Sequence, residues 1–176
     1  MLQIRQAKPE DYEAIREFYY TITDDMQNAE YKPGWEKDVY PAQEYLQEAI
    51  ETGQLYIGFL EDELVSCMIV NHSYNDGYEG TEWAVEASDE ELLVIHALGV
   101  SYSHGGKGYA KEMVCHVIDM ARKKGIKALR LDVLEGNLPA EKVYTSLGFQ
   151  CRGHVQMFYE DTGWTGYDLY EYLILP

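Results

Sequence analysis

One stretch constrains the fold more than any other. Residues 92–100 (LLVIHALGV) are a near-continuous apolar run, followed by the glycine-rich segment SYSHGGKGYA. Beyond it Ala110, Met113, Val114, Val117, Ile118 and Ala121 recur at helical spacing as far as Gly125. The apolar run predicts a strand buried on both faces. The 3.6-residue spacing predicts an amphipathic helix, and the glycine predicts its end. Gly105, Gly106 and Gly108 let backbone approach a ligand unobstructed. The first helical turn offers N–H groups with no helical partner, a setting that suits phosphate, helped by Lys107 or Lys111.

Two nucleotide motifs are excluded here. A Walker loop needs Ser or Thr after its Gly-Lys for magnesium, and Gly106-Lys107 is followed by Gly108. A dinucleotide fingerprint needs a third glycine, and Gly106-Lys107-Gly108-Tyr109-Ala110-Lys111 lacks it.

The flanking sequence fills in the remaining elements. Residues 2–6 alternate as a short strand, and Pro9-Glu10-Asp11 opens a helix with an apolar stripe at Ile15, Phe18, Tyr19 and Ile22. Residues 24–40 read as irregular, and 41–52 as a second helix stopped by Gly53. Strands are predicted over 54–60, 64–72, 127–133, 149–159 and 165–174, with a short helix over 139–147. The order β-α-α-β-β-β-α-β-α-β-β describes a mixed α/β sheet in one domain, residues 1–176.

Charge narrows the function. The chain carries 14 basic and 31 acidic residues, net −17. Nucleic acid and anionic membrane are repelled by such a chain. Residues 99–152 are nevertheless +4, against −21 for the remainder, an asymmetry that suggests a bound anion in the basic third. Arg122, Lys123 and Lys124 suit a helix C-terminus, which leaves Lys107 and Lys111 for that anion. Cys67, Cys115 and Cys151 form no CxxC pair, and no histidines have metal-ligand spacing, so no metal is expected. No apolar run approaches a membrane span, and the N-terminal residues lack a secretory pattern. A cytoplasmic protein with reduced thiols is expected.

Two motifs carry a family resemblance. Gly105-Gly106-Lys107-Gly108-Tyr109-Ala110 resembles the signature Arg/Gln-x-x-Gly-x-Gly/Ala of the GNAT acetyltransferase superfamily. Downstream, Asn137, Ala140, Tyr144, Gly148 and Phe149 match that family's Asn-x-x-Ala-x-x-x-Tyr-x-x-x-Gly-Phe segment. The element order fits over essentially the whole chain. The resemblance implies a mostly antiparallel sheet flanked by about four helices. It also implies transfer of acetyl from acetyl-CoA to a primary amine by direct attack in a ternary complex.

The resemblance further implies site roles. Cofactor contacts fall to Leu98, Gly99 and Val100, to residues 105–110, and to Asn137, which also suits a helix cap. Tyr144 is the acid for the departing thiolate. Gly105 stands where the family prefers Arg or Gln, so one phosphate contact is missing, with His104 or Lys107 as substitutes. The base is open between His96, which titrates near neutrality, and Glu91. Acidic and aromatic residues near the first helices and the last hairpin suit an ammonium group: Tyr31, Trp35, Asp38 and Tyr40, then Tyr159, Glu160, Asp161 and Trp164. Trp35 is the leading substrate contact. The partner is then a small-molecule or peptide amine, with no nucleic acid and no membrane, and a homodimer stays open. The alternative is a non-catalytic acyl-CoA sensor on the same fold.

Overall fold

The structure is a computed structural model describing residues 1–174; the last two residues of the expected domain lie outside the described residues. Its elements follow the expected order: β1 (Gln3–Gln6), α1 (Tyr12–Asp25), α2 (Gln43–Glu51), β2 (Leu55–Leu60), β3 (Glu63–Asn71), β4 (Leu92–Val100), α3 (Tyr109–Lys124), β5 (Ala128–Leu134), α4 (Leu138–Leu147), β6 (Gln150–Tyr159) and β7 (Gly163–Leu173). Two starts differ from expectation. Pro9–Asp11 forms a 3-10 turn ahead of α1, and α2 begins after Ala42, whose backbone is extended.

The strands form one sheet in the order β1-β2-β3-β4-β5-β7-β6. Every neighbouring pair is antiparallel except β4 and β5. Helices α3 and α4 cover one face, where Met113, Val117, Ala121 and Tyr144 pack on Val65, Leu93, Leu129 and Val133. Helices α1 and α2 cover part of the other, with Ile15, Ile22 and Leu46 against Ile57, Cys67 and Ile69. On that second face Tyr78, Val94, Met157, Tyr167 and Leu169 form a smaller apolar group.

Two features of β4 open the middle of the sheet. It pairs with β5 only over Leu92–Val94 against Ala128–Arg130. Beyond Val94 the strands part, and among the described residues that edge of β4 has no strand partner. A bulge also interrupts its pairing with β3, where Cys67 faces Gly99 and Ile69 faces His96. Ala97 takes a left-handed φ of 49° there, and the Tyr19 hydroxyl donates to its carbonyl at 2.7 Å. The extra residue shifts the alternation by one. Ala97 therefore packs with α1 and α2, and Leu98 returns to the α3 side.

The long segment between β3 and β4 is fastened by a buried ion cluster. Glu171 on β7 is fully buried and accepts from Arg130 Nε at 3.1 Å, from Arg152 Nε at 3.1 Å and from the Ala84 amide at 2.8 Å. Arg130 also donates to the Val85 carbonyl and lies over the Trp83 ring. These pairings remove Arg130 and Arg152 from the basic third as anion ligands. Arg122 and Lys127 are likewise held, by Asp119 and Glu91.

Candidate active site

Where β4 and β5 part, a cleft of about 680 Å³ opens, partly to solvent. Ile95–Leu98 line one side and Asp132–Leu134 the other, with Asn137, Ala140 and Tyr144 from the α4 side. Trp35, Tyr40, Tyr159, Asp161 and Tyr167 close it on the opposite face of the sheet.

Tyr144 is brought here by the α4 register. Its ring is buried and packs edge-on against Phe149 at 5.5 Å. Among the described residues its hydroxyl makes no protein hydrogen bond, yet no buried side-chain polar atom is left unsatisfied. The hydroxyl therefore opens into the cleft. Burial pushes the phenol pKa up, so it keeps its proton at neutral pH. Asn137 caps α4, accepting from the Ala140 amide at 3.5 Å, while also lining the cleft.

The glycine turn lies at the start of α3. Gly106 (φ +73°) and Gly108 (φ +88°) need the left-handed region, whereas Gly105 (φ −58°) does not. Gly108 is the N-cap and supplies no side-chain cap, so the first-turn amides at Tyr109, Ala110 and Lys111 point outward unclaimed by one. Lys107 and Lys111 are exposed beside them. Lys107 Nζ reaches the Ser103 carbonyl at 3.2 Å, and His104 Nδ1 lies 2.7 Å from Ser101 Oγ. These donors and the open edge of β4 suit a pyrophosphate and an extended amide arm, so the residues present fit acetyl-CoA. Gly99 has a different reason for its missing side chain: a Cβ would lie 3.0 Å from Ile22 Cδ1 and 3.3 Å from the Trp35 ring. Val100 pairs with Ser66 inside the sheet.

The two candidate bases fare differently. His96 does line the cleft, but its Nε2 lies 2.9 Å from Asn71 Oδ1 and 3.0 Å from the Ser73 carbonyl, both acceptors. The proton therefore sits on Nε2. Burial lowers the His96 pKa to about 4, which leaves a neutral ring of low basicity. Glu91 stands at the far end of β4, ion-paired to Lys127 at 2.9 Å and bonded to the Ser88 amide, which holds its carboxyl below the usual range. It does not reach the cleft.

Of the aromatic and acidic residues expected at the acceptor, Trp35, Tyr40, Tyr159 and Asp161 line the cleft, and Tyr31, Asp38, Glu160 and Trp164 do not. Sequence reading missed Asp132, Tyr78 and Tyr167. Asp132 lies at the cleft floor, where Oδ2 accepts from Tyr78 and Tyr159 hydroxyls, both at 2.8 Å. Its signal was present: in Arg130-Leu-Asp-Val133 the period of two sends Leu131 and Val133 to the α3 side and Asp132 away from it.

The parted β4–β5 pair and the bulge in β4 thus lie at one cleft, the glycine turn follows β4 at the start of α3, and the second sequence motif falls on the cleft through Asn137, Ala140 and Tyr144. The profile of the Acetyltransferase (GNAT) family matches residues 16–149, and the chain belongs to that family. Streptothricin acetyltransferase from Streptomyces lavendulae is 34% identical over 76 residues, covering 43% of this chain and 40% of that protein. Human N-acetyltransferase 8B is 35% identical over 95 residues, covering 52% and 41%. The match thus spans less than half the length of these relatives. A GNAT-family acetyltransferase structure from Streptococcus agalactiae superposes with a TM-score of 0.82 at 19% identity, covering 99% of this chain and 96% of that one. A Salmonella typhimurium structure containing acetyl-CoA gives 0.69 at 16% identity, covering 100% and 95%. Likeness at this identity shows the fold.

Proposed function

We propose that residues 1–176 form one N-acetyltransferase domain that moves acetyl from acetyl-CoA to a primary amine by direct attack within a ternary complex. The observation that carries this reading is the Tyr144 hydroxyl, unpartnered among the described residues and opening into the cleft from a buried ring.

When bound, acetyl-CoA supplies the thioester. Its phosphates are assigned to the amides of residues 106–111 with Lys107 and Lys111, and its amide arm to the open edge of β4 at Leu98–Val100, with Asn137 near the thioester end. Backbone N–H groups on that edge are the donors available to a developing oxyanion. Tyr144 gives its proton to the departing sulfur. His96 acts as a strap that fixes β4 to the Asn71 side chain and the Ser73 carbonyl, and its neutral ring adds no positive charge beside an amine. Among the described residues the cleft lining holds no Lys or Arg, which supports a cationic acceptor.

Calorimetry with CoA and acetyl-CoA, with thiol release measured over a panel of amines, tests the reading. Binding without thiol release would favour the sensor alternative, and no binding at millimolar ligand would refute both. Tyr144→Phe is expected to lower turnover by ~10²–10⁴-fold with little change in acetyl-CoA affinity.

A further inference from the structure

The proposed function gives Asp132 no role, yet its surroundings are unusual. Its side chain is half-buried and lines the cleft. A buried carboxylate is costly unless paired and hydrogen-bonded. Two phenols satisfy Oδ2, while Oδ1 receives no protein donor among the described residues. Among the described residues no Lys or Arg lines the cleft, and His96 is neutral. The carboxylate therefore faces an opening with no countercharge. Tyr40 and Trp35 line the same opening, and aromatic faces favour an ammonium ion. Strand alternation sets Asp132 on the sheet face away from α3 and α4, opposite the side that carries Tyr144.

We propose that Asp132 receives the acceptor's ammonium group through Oδ1 and takes its proton, making the acceptor a cationic primary amine that enters from the β6–β7 side. This rests on the N-acetyltransferase reading of the cleft. The ammonium gives one proton to the Asp132 carboxylate. The freed lone pair forms the C–N bond, the C–S bond breaks, and sulfur takes the Tyr144 proton. The nitrogen loses its second proton to water, which restores the phenol, and Asp132 then releases its own. The sum is amide, CoA thiol and one proton from ammonium and thioester.

The groups facing Asp132 are Tyr78 from the segment before β4, Tyr159 on β6, Tyr167 on β7, Asp161 in the turn between them, Tyr40, Tyr144 and His96. Of these only Asp161 and His96 titrate in the acid range. Burial raises the carboxyl pKa of Asp132 and the two phenol hydrogen bonds oppose that rise. Turnover should therefore fall on acidification as Asp132 protonates, and removing a phenol should move that fall to higher pH.

The test uses the full chain with 1,4-diaminobutane, spermidine and lysine methyl ester as amine probes, and neutral 1-butanol as a binding control. Asp132→Asn is expected to raise the amine KM at least tenfold, to lower kcat and to erase the acid limb. The acetyl-CoA KM should stay within twofold. Asp132→Glu should recover part of the activity, and Tyr159→Phe should shift the acid limb upward in pH. Asp161→Asn should keep the limb. An unchanged amine KM and pH profile in Asp132→Asn would overturn the proposal. So would equal loss of acetyl-CoA binding, which would mark a structural role. If the wild-type chain releases no thiol with any amine, the transferase reading fails and calorimetry alone decides the inference. Ammonium probes that bind the wild-type chain, and bind Asp132→Asn at least tenfold more weakly, would then uphold it. Equal binding, none at all, or binding matched by 1-butanol would overturn it.

Discussion

The two faces of the sheet meet at one cleft but are built differently. On the α3–α4 face, the residues assigned to acetyl-CoA come from two short stretches, 98–111 and 137–144. On the other face, the proposed acceptor pocket draws Trp35 and Tyr40 from an irregular segment, Tyr78 from another, Asp132 from β5, and Tyr159 and Tyr167 from a hairpin. The first face is local and the second is assembled over distance. A local site depends on backbone conformation, a distributed one on whatever holds its pieces together.

The sharpest way to break this contrast is to cut the fastening of the distributed side. Glu171→Ala leaves Arg130 buried without its partner, and removing one member of a buried pair costs about 3–5 kcal/mol. Chemical denaturation should read that loss. Because the 72–91 segment carries Tyr78, amine affinity should fall further than acetyl-CoA affinity in the variant that remains folded.

A pH titration of stability sharpens the contrast next. The folded His96 pKa of about 4 lies below the unfolded value of 6.5, so the unfolded chain binds this proton first. The resulting stability is fully present above pH 6.5 and is lost as pH falls toward 4, by about 3 kcal/mol in all. In His96→Gln this stretch of the profile should flatten.

The smallest effect belongs to the local side. Gly108→Ala meets no atom within 4 Å but must hold φ at +88°. The strain is about 1–2 kcal/mol. Thermal unfolding should show a modest loss, and calorimetry a weaker grip on acetyl-CoA, with amine affinity unaltered.

The same contrast explains what could be read from the sequence. The strands, helices and both motifs were legible because each is written in neighbouring residues: β4 matches its apolar run from Leu92 to Val100, and Gly125 ends α3. The bulge at Ala97 was not, because nothing in LLVIHALGV marks an extra residue; pairing with β3 creates it. His96 read as a base because its ordinary pKa is near neutral, and the burial that lowers it comes from the tertiary fold. Glu91 looked close to the chemistry in sequence but sits at the wrong end of its strand. Asp132 passed unnoticed in KALRLDV because the phenols that mark it lie 54 and 27 positions away.

Those separations carry a kinetic consequence. Contacts between distant positions form only after large loops close, which places them late in folding. The Tyr78–Asp132–Tyr159 floor needs three remote parts of the chain at once, so no partly folded fragment can display it. An amine seated on that floor would bind the native state alone and would raise the unfolding free energy by RT ln(1 + [L]/Kd). Melting temperature would then count acceptors one by one, with no turnover required.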